Sequence, residues 1–212
     1  MTDPRPNFGL CAAASWLLLA ASLGCSDATL EPDPDGTERP PAQLDIVRLP
    51  SNHPPFFNDT DSFYAKVGRA SAGTISFRLP NGQRGSTFAE LRLDAQSLAA
   101  RPDGTPFGPN DSVLITMRVP STDEILVELS PTGIRFANEH GAELRLRYDE
   151  THGDLNGDGD DDHRDDDIER VLAIWRQENP GDPFVKIGTI KTDNARELRA
   201  FLKSFSRYAI SY

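Results

Sequence analysis

Residues 142–148 read Ala142-Glu143-Leu144-Arg145-Leu146-Arg147-Tyr148, the clearest alternation in the chain. An extended backbone turns successive side chains to opposite faces, so Leu144, Leu146 and Tyr148 point one way and Glu143, Arg145 and Arg147 the other. This pattern predicts a strand with one buried and one wet face. Working outward, the same period recurs over residues 73–79, 88–93, 113–119, 124–129, 184–190, 198–202 and 208–212. Turn formers separate these runs: Asn81-Gly82, Asp103-Gly104, Pro131-Thr132-Gly133 and Asn179-Pro180-Gly181-Asp182-Pro183. Many short strands with hardly any helical pattern between them predict an all-β fold, an antiparallel β-sandwich over residues 44–212. Residues 166–177 are ambiguous, because Ile168, Val171, Leu172 and Trp175 fit a helical face while Leu172 and Ile174 fit a strand. A hairpin through the Pro-Gly turn to Phe184 favours a strand over 170–177, preceded by a helical turn over 166–170.

Composition narrows the function classes. Only 2 cysteines and 4 histidines occur in 212 residues, which excludes a disulfide scaffold and argues against a cysteine-rich zinc module. With 33 acidic and 22 basic side chains the formal charge is −11, which repels phosphate backbones and predicts no nucleic-acid partner. After the N-terminal region no stretch approaches the roughly 18 apolar residues that a membrane span needs.

The N-terminal region reads as an address. Residues 9–21 form an apolar run of signal-peptide length, followed by Ser22-Leu23-Gly24-Cys25 and a polar stretch. Those four residues resemble a bacterial lipobox, although Ser22 stands where the motif usually has Leu, and Asp3 offsets Arg5 in the leading segment. The resemblance implies a signal peptide over 1–24, cleavage before Cys25 and lipid attachment to its thiol, which places the protein in the bacterial cell envelope, at the outer membrane or cell surface. Acyl chains contribute about 0.8 kcal/mol per buried CH₂, so two or three hold a soluble domain on a membrane without a spanning helix. Cys11 would leave with the signal. Residues 25–43, with Glu31-Pro32-Asp33-Pro34-Asp35-Gly36 and Arg39-Pro40-Pro41, are too polar and proline-rich to bury a face and read as a disordered tether. His53-Pro54-Pro55-Phe56-Phe57 reads as a loop tucked against the fold.

In the C-terminal half, Ser130-Pro131-Thr132-Gly133-Ile134-Arg135-Phe136, the strand at 142–148, residues 172–176 and Phe205-Ser206-Arg207-Tyr208 together resemble the ZU5-like β-sandwich modules of bacterial surface proteins. The likeness covers roughly residues 73–212. Some ZU5-type domains cut themselves between Phe and Ser of a His-Phe-Ser motif, with the serine as nucleophile and the histidine as proton acceptor. Here the triplet is Ser204-Phe205-Ser206, and a hydroxyl at position 204 cannot take that proton near neutral pH. No self-cleavage at Ser206 is expected.

The sharpest chemistry lies in the acidic insertion at 150–169. Asp154-Leu155-Asn156-Gly157-Asp158-Gly159-Asp160-Asp161-Asp162-His163-Arg164-Asp165 places oxygen side chains at positions 1, 3, 5, 9 and 12 and Gly at position 6, which resembles the EF-hand or dockerin-type calcium loop. The resemblance assigns side-chain oxygens to Asp154, Asn156 and Asp158, the backbone carbonyl to Asp160, a direct or water-bridged ligand to Asp162, and the closing carboxylate to Asp165. Between Asp154 and Glu169 nine acids face the single base Arg164, so this segment alone carries −8 of the chain's −11. Like charges at such spacing repel, and a divalent cation relieves the repulsion. One copy of the loop is present where dockerins that bind cohesins use two, so a structural role is expected. A solvated charge run is the alternative.

No Gly-x-Ser-x-Gly elbow, phosphate-binding Gly loop with Lys, or His-Glu-x-x-His occurs. His53, His140, His152 and His163 sit in predicted loops. The expectation is therefore a non-catalytic, lipid-anchored, calcium-binding sandwich with an envelope protein or polysaccharide as partner. The alternatives are an adhesion module with an exposed aromatic such as Trp175, or a hydrolytic or self-processing domain using Ser206. Cys25→Ser is expected to shift the protein from the membrane pellet to the soluble fraction on cell fractionation; retention in the pellet would exclude lipid attachment at that position.

Overall fold

The structure, a computed structural model, describes residues 36–137, 141–192 and 195–212. The signal segment 1–24, Cys25 and most of the tether lie outside the described residues, as does His140. Two antiparallel sheets stack face to face. The first runs, edge to edge, β1 (Glu38–Arg39), β12 (Phe184–Lys186), β11 (Ala173–Gln177), β15 (Arg207–Ser211), β8 (Leu126–Ser130), β7 (Ser112–Arg118) and β3 (Thr60–Lys66). The second runs β13 (Ile190–Thr192), β14 (Glu197–Leu202), β10 (Ala142–Arg147), β5 (Arg84–Leu93), β4 (Ser71–Arg78) and β2 (Phe56–Asn58). A short ribbon of β6 (Leu98–Ala100) and β9 (Arg135–Phe136) stands apart. This is the expected all-β sandwich.

Alternation builds the core. Leu144, Leu146 and Tyr148 are buried with Ile75, Phe77, Phe88 and Leu198, and the inner face of the first sheet brings Ile115, Met117, Val127, Ile174 and Tyr208 into the same cluster. The opposite face of β10 stays wet and charged. Glu143 lies across from Arg92, Arg145 between Glu90 and Arg199, and Arg147 across from Glu197. Glu143 accepts ion pairs from both Arg145 (2.9 Å) and Arg199 (3.6 Å), which reconciles two arginines placed opposite each other. These half-buried pairs keep this face of the sheet polar.

Several sequence expectations change. Residues 170–177 do not form one strand: a helix, α1 (His163–Val171), runs three residues further back than the predicted helical turn, and β11 begins only at Ala173. A capping box made by Asp162 and Asp165 starts this helix, and that signal outweighs the β-propensity downstream. The run 184–190 splits. Phe184–Lys186 belongs to the first sheet and Ile190–Thr192 to the second, with the chain crossing between them where the Thr189 hydroxyl accepts from Ile174 N and donates to Ile187 O. The fold also begins before Leu44. Glu38 and Arg39 pair with Val185 and Phe184, and Pro41–Gln43 form a 3-10 turn, all within the segment read as tether. Arg39 explains this entry: its guanidinium lies 5.2 Å from the centroid of Trp175 and donates to Tyr212 O at 2.9 Å. Leu44 then joins Leu126, Trp175, Phe184 and Ala209 in a second apolar cluster.

Sequence periodicity also missed β3, because only Phe63 and Ala65 of Thr60–Lys66 combine apolar character with burial or partial burial. Phe56, in the Pro-rich patch, stacks on Phe77 with ring centroids 4.9 Å apart and so belongs to strand β2 rather than to a loop. Gly73 on β4 lets β3 pack closely: a Cβ there would lie 2.5 Å from the Phe63 ring. Gly73→Ala should therefore destabilise the fold by about 1–3 kcal/mol through overpacking. The same substitution in a Phe63→Ala background should cost much less, and thermal melts of the four proteins measure the difference.

Candidate functional site

The acidic loop leaves the second sheet at the end of β10. Tyr148 and a 3-10 turn over Asp149–Thr151 lead to His152, which takes a left-handed conformation at φ 56°, and to Gly153 at φ 106°. A side chain at 153 would place its Cβ 2.2 Å from Asp161 Oδ2, so the glycine makes room for a carboxylate folding back over the loop's entrance. Sequence reading did not single out Asp161; the glycine directly before position 1 of the loop was the available signal.

The residues read as ligands follow one another around the turn. The Asp154 carboxylate accepts from Gly157 N (2.7 Å) and Gly159 N (3.0 Å). Asn156 Oδ1 accepts from Asp158 N (2.7 Å), and Asp158 Oδ1 from Asp160 N (3.1 Å). Gly157 and Gly159 both adopt positive φ, 77° and 99°, as the tight turn requires. Asp160 is exposed, and Arg164 approaches Asp158 to 3.9 Å. Asp162 caps α1 by accepting from Arg164 N at 2.8 Å.

Asp165 closes the loop. It is only 2% exposed, and its two oxygens accept from Leu155 N (2.7 Å), Asn156 N (3.2 Å) and Asp162 N (3.0 Å). Burial opposes its ionisation, but the backbone N–H groups of Asp162, Leu155 and Asn156 together outweigh burial and hold its pKa below the ordinary aspartate value. Asp149, at the entrance, shows the opposite balance: burial pushes its pKa up, against the pull of Arg147. The far end of α1 is tied to the sheet by Tyr148, whose hydroxyl donates to Glu169 Oε1 at 2.9 Å, and by Lys191 Nζ, which donates to Glu169 O at 2.8 Å.

Among the described residues no three His, Cys, Asp or Glu side chains come close enough to hold a metal ion together. The donor set still fits calcium in kind. It is all oxygen, and each carboxylate oxygen has two lone pairs, so the backbone N–H groups leave acceptor capacity on Asp154, Asp158 and Asp165. The nearby crevice, about 30 Å³ and lined by Tyr148, Asp161, Asp165, Asp166, Glu169 and Arg196, mixes acids with a guanidinium. His152 and His163 are exposed, and His163 Nδ1 lies 3.8 Å from Asp162 Oδ2.

The other predicted features fall elsewhere. Ser206 is 1% exposed and its hydroxyl accepts from Arg176 Nε at 2.9 Å, while Ser204 Oγ accepts from the same guanidinium at 2.9 Å. A guanidinium donates protons and takes none, so this geometry offers Ser206 no activating base. Phe205 is buried edge-on against Phe136 with centroids 4.8 Å apart, and Trp175 is 3% exposed, so its indole is a packing group rather than a platform. Among the described residues no helix is long and apolar enough to cross a membrane. Comparison with protein-family models, with curated proteins and with solved structures returned no match. The ZU5 and EF-hand likenesses therefore stand on their short motifs alone.

Asp165 carries a pH signature. Because its folded-state pKa is depressed, its stabilisation is fully present above the unfolded value of about 3.9 and disappears as pH falls through the lower folded value. Asp165→Asn turns an acceptor into a donor facing backbone N–H groups, with an expected cost of about 1–3 kcal/mol at pH 7. Urea denaturation at pH 7 and pH 3 should show this gap narrowing at the lower pH.

Proposed function

We propose that the protein is a non-catalytic β-sandwich of the bacterial cell envelope, held to a membrane by lipid on Cys25, whose acidic loop takes up calcium and becomes rigid. The observation that carries the reading is the closure of the loop by Asp165. A buried carboxylate at position 12, on the first turn of a helix, draws the backbone of positions 2 and 3 toward it and sets Asp154, Asn156 and Asp158 on one turn. Calcium would be held by Asp154, Asn156, Asp158, the carbonyl of Asp160, Asp162 and Asp165, and it would supply charge neutralisation for a segment carrying −8. The role is structural: the loop has one copy, and modules of this kind outside cells bind in the range of about 10⁻⁴ to 10⁻³ M. The burial of Trp175 supports a structural module over an adhesion module built on that indole, and the Arg176 contact to Ser206 supports it over a hydrolase.

Calcium titration followed by thermal melting tests this. Millimolar calcium is expected to raise the melting temperature, as any ligand specific for the native state must. Magnesium, which dehydrates reluctantly, should do so much less. Asp154→Ala and Asp158→Ala should each remove the shift. A melting temperature unmoved by millimolar calcium would overturn the metal assignment.

A further inference from the structure

A groove of about 510 Å³ lies at the corner where β3 turns into β4, and it is lined by Phe63, Tyr64, Lys66, Arg69, Ser71 and Ser112 among others. Three properties set it apart. Its two cations, Lys66 and Arg69, have no acidic side chain within ion-pair distance among the described residues, and no acid lines the groove, in a chain whose net charge is −11. The Ser71 hydroxyl is buried and has no hydrogen-bond partner among the described residues. Tyr64 is 70% exposed and sits opposite Leu114, itself 47% exposed, which makes an aromatic and aliphatic ledge on the outer face of the first sheet. Beside it the hydroxyls of Ser62 and Thr116 meet at 2.9 Å.

Strand register places this groove far from the acidic loop. Ser71 is level with Leu93, and Arg92 with Glu143 at the start of β10. The acidic loop leaves the other end of β10, where Leu146 is level with Ala89 and Ile75. Ser71 and Ile75 are four residues apart on one strand, roughly 14 Å, and the acids lie further along still. That exceeds the screening length of about 8 Å at physiological ionic strength, so the loop does not neutralise the two cations.

We infer that the groove binds an acidic saccharide, a glycan chain carrying carboxylates. An exposed tyrosine offers an apolar ring with a polar rim, which suits the amphipathic face of a sugar ring. Lys66 and Arg69 supply charge-assisted hydrogen bonds to carboxylates, and Ser112 supplies a hydroxyl of the kind sugar hydroxyls pair with. The volume falls within the range of about 300–1,000 Å³ usual for small-molecule sites. This inference does not depend on calcium, and its test is run without it.

The probes are hexagalacturonate and hexamannuronate, with maltohexaose as neutral control, titrated calorimetrically into the described domain's full chain in EDTA. At least one uronate oligomer should bind, more weakly as salt rises, and maltohexaose should not. Lys66→Ala with Arg69→Ala should weaken binding by at least about tenfold and Tyr64→Ala by about tenfold, whereas Asp154→Ala should leave it unchanged. Lys66, Arg69 and Tyr64 are exposed and Asp154 is half-buried, and unchanged melting temperatures confirm that the variants fold. Failure of both uronates at millimolar concentration, equal binding of maltohexaose, or full retention after Tyr64→Ala would overturn the proposal. Because EDTA removes calcium, a negative result here leaves the calcium shift intact, and a missing calcium shift leaves this binding intact.

Discussion

Everything in this molecule depends on keeping one face of every strand dry. Two sheets can lie against each other only if each contributes an apolar inner surface, and the burial of Leu144, Leu146 and Tyr148 against Ile115, Met117 and Val127 is that condition met at the centre. Non-directional burial, at about 25 cal/mol per Å² of apolar area, drives the assembly. Hydrogen bonding between strands then fixes register, because a slip by one residue would send Arg145 inward and Leu144 into water. The charged outer lattice of Glu143, Arg145, Arg199 and Arg92 is compatible with that register.

The acidic excursion is tolerated because its ends are anchored in this core. Leu155 is buried in the main cluster, and Tyr148, the last inward residue of the β10 run, reaches Glu169 on α1. Asp165 then performs for a loop what a ladder performs for a strand: it satisfies backbone donors that would otherwise need water. A buried carboxylate is costly unless hydrogen-bonded, and three backbone N–H groups meet that requirement.

Much of the fold was legible because its signals were local. The alternation at 142–148 and the turn dipeptides are written in consecutive residues, and they predicted β10, β4, β5, β7, β14 and β15 with shifts of a few residues at their ends. What escaped was non-local. Nothing within residues 184–190 reveals that Ile187 pairs with Ile174 while Ile190 belongs to the other sheet. The entry of Arg39 depends on Trp175, far away in sequence, and β3 presents too few apolar residues to announce a strand. In the acidic loop, Gly157, Gly159 and the turn at Asp154 could be read from spacing. The burial of Asp165 and the bend of Asp161 over Gly153 could not, since both depend on how the following helix docks. The groove at Tyr64 was invisible for the same reason: its walls come from β3, β4 and β7, which meet only after folding.

The register that sets the acidic loop at one end of the second sheet sets Lys66 and Arg69, which have no acidic partner among the described residues, beside the other. The two ends differ in local charge, and a bound divalent ion would soften the negative one. Near a negatively charged surface, that difference would favour the loop turned outward and the β3–β4 corner turned inward. Charge would then bias orientation before any specific contact is made.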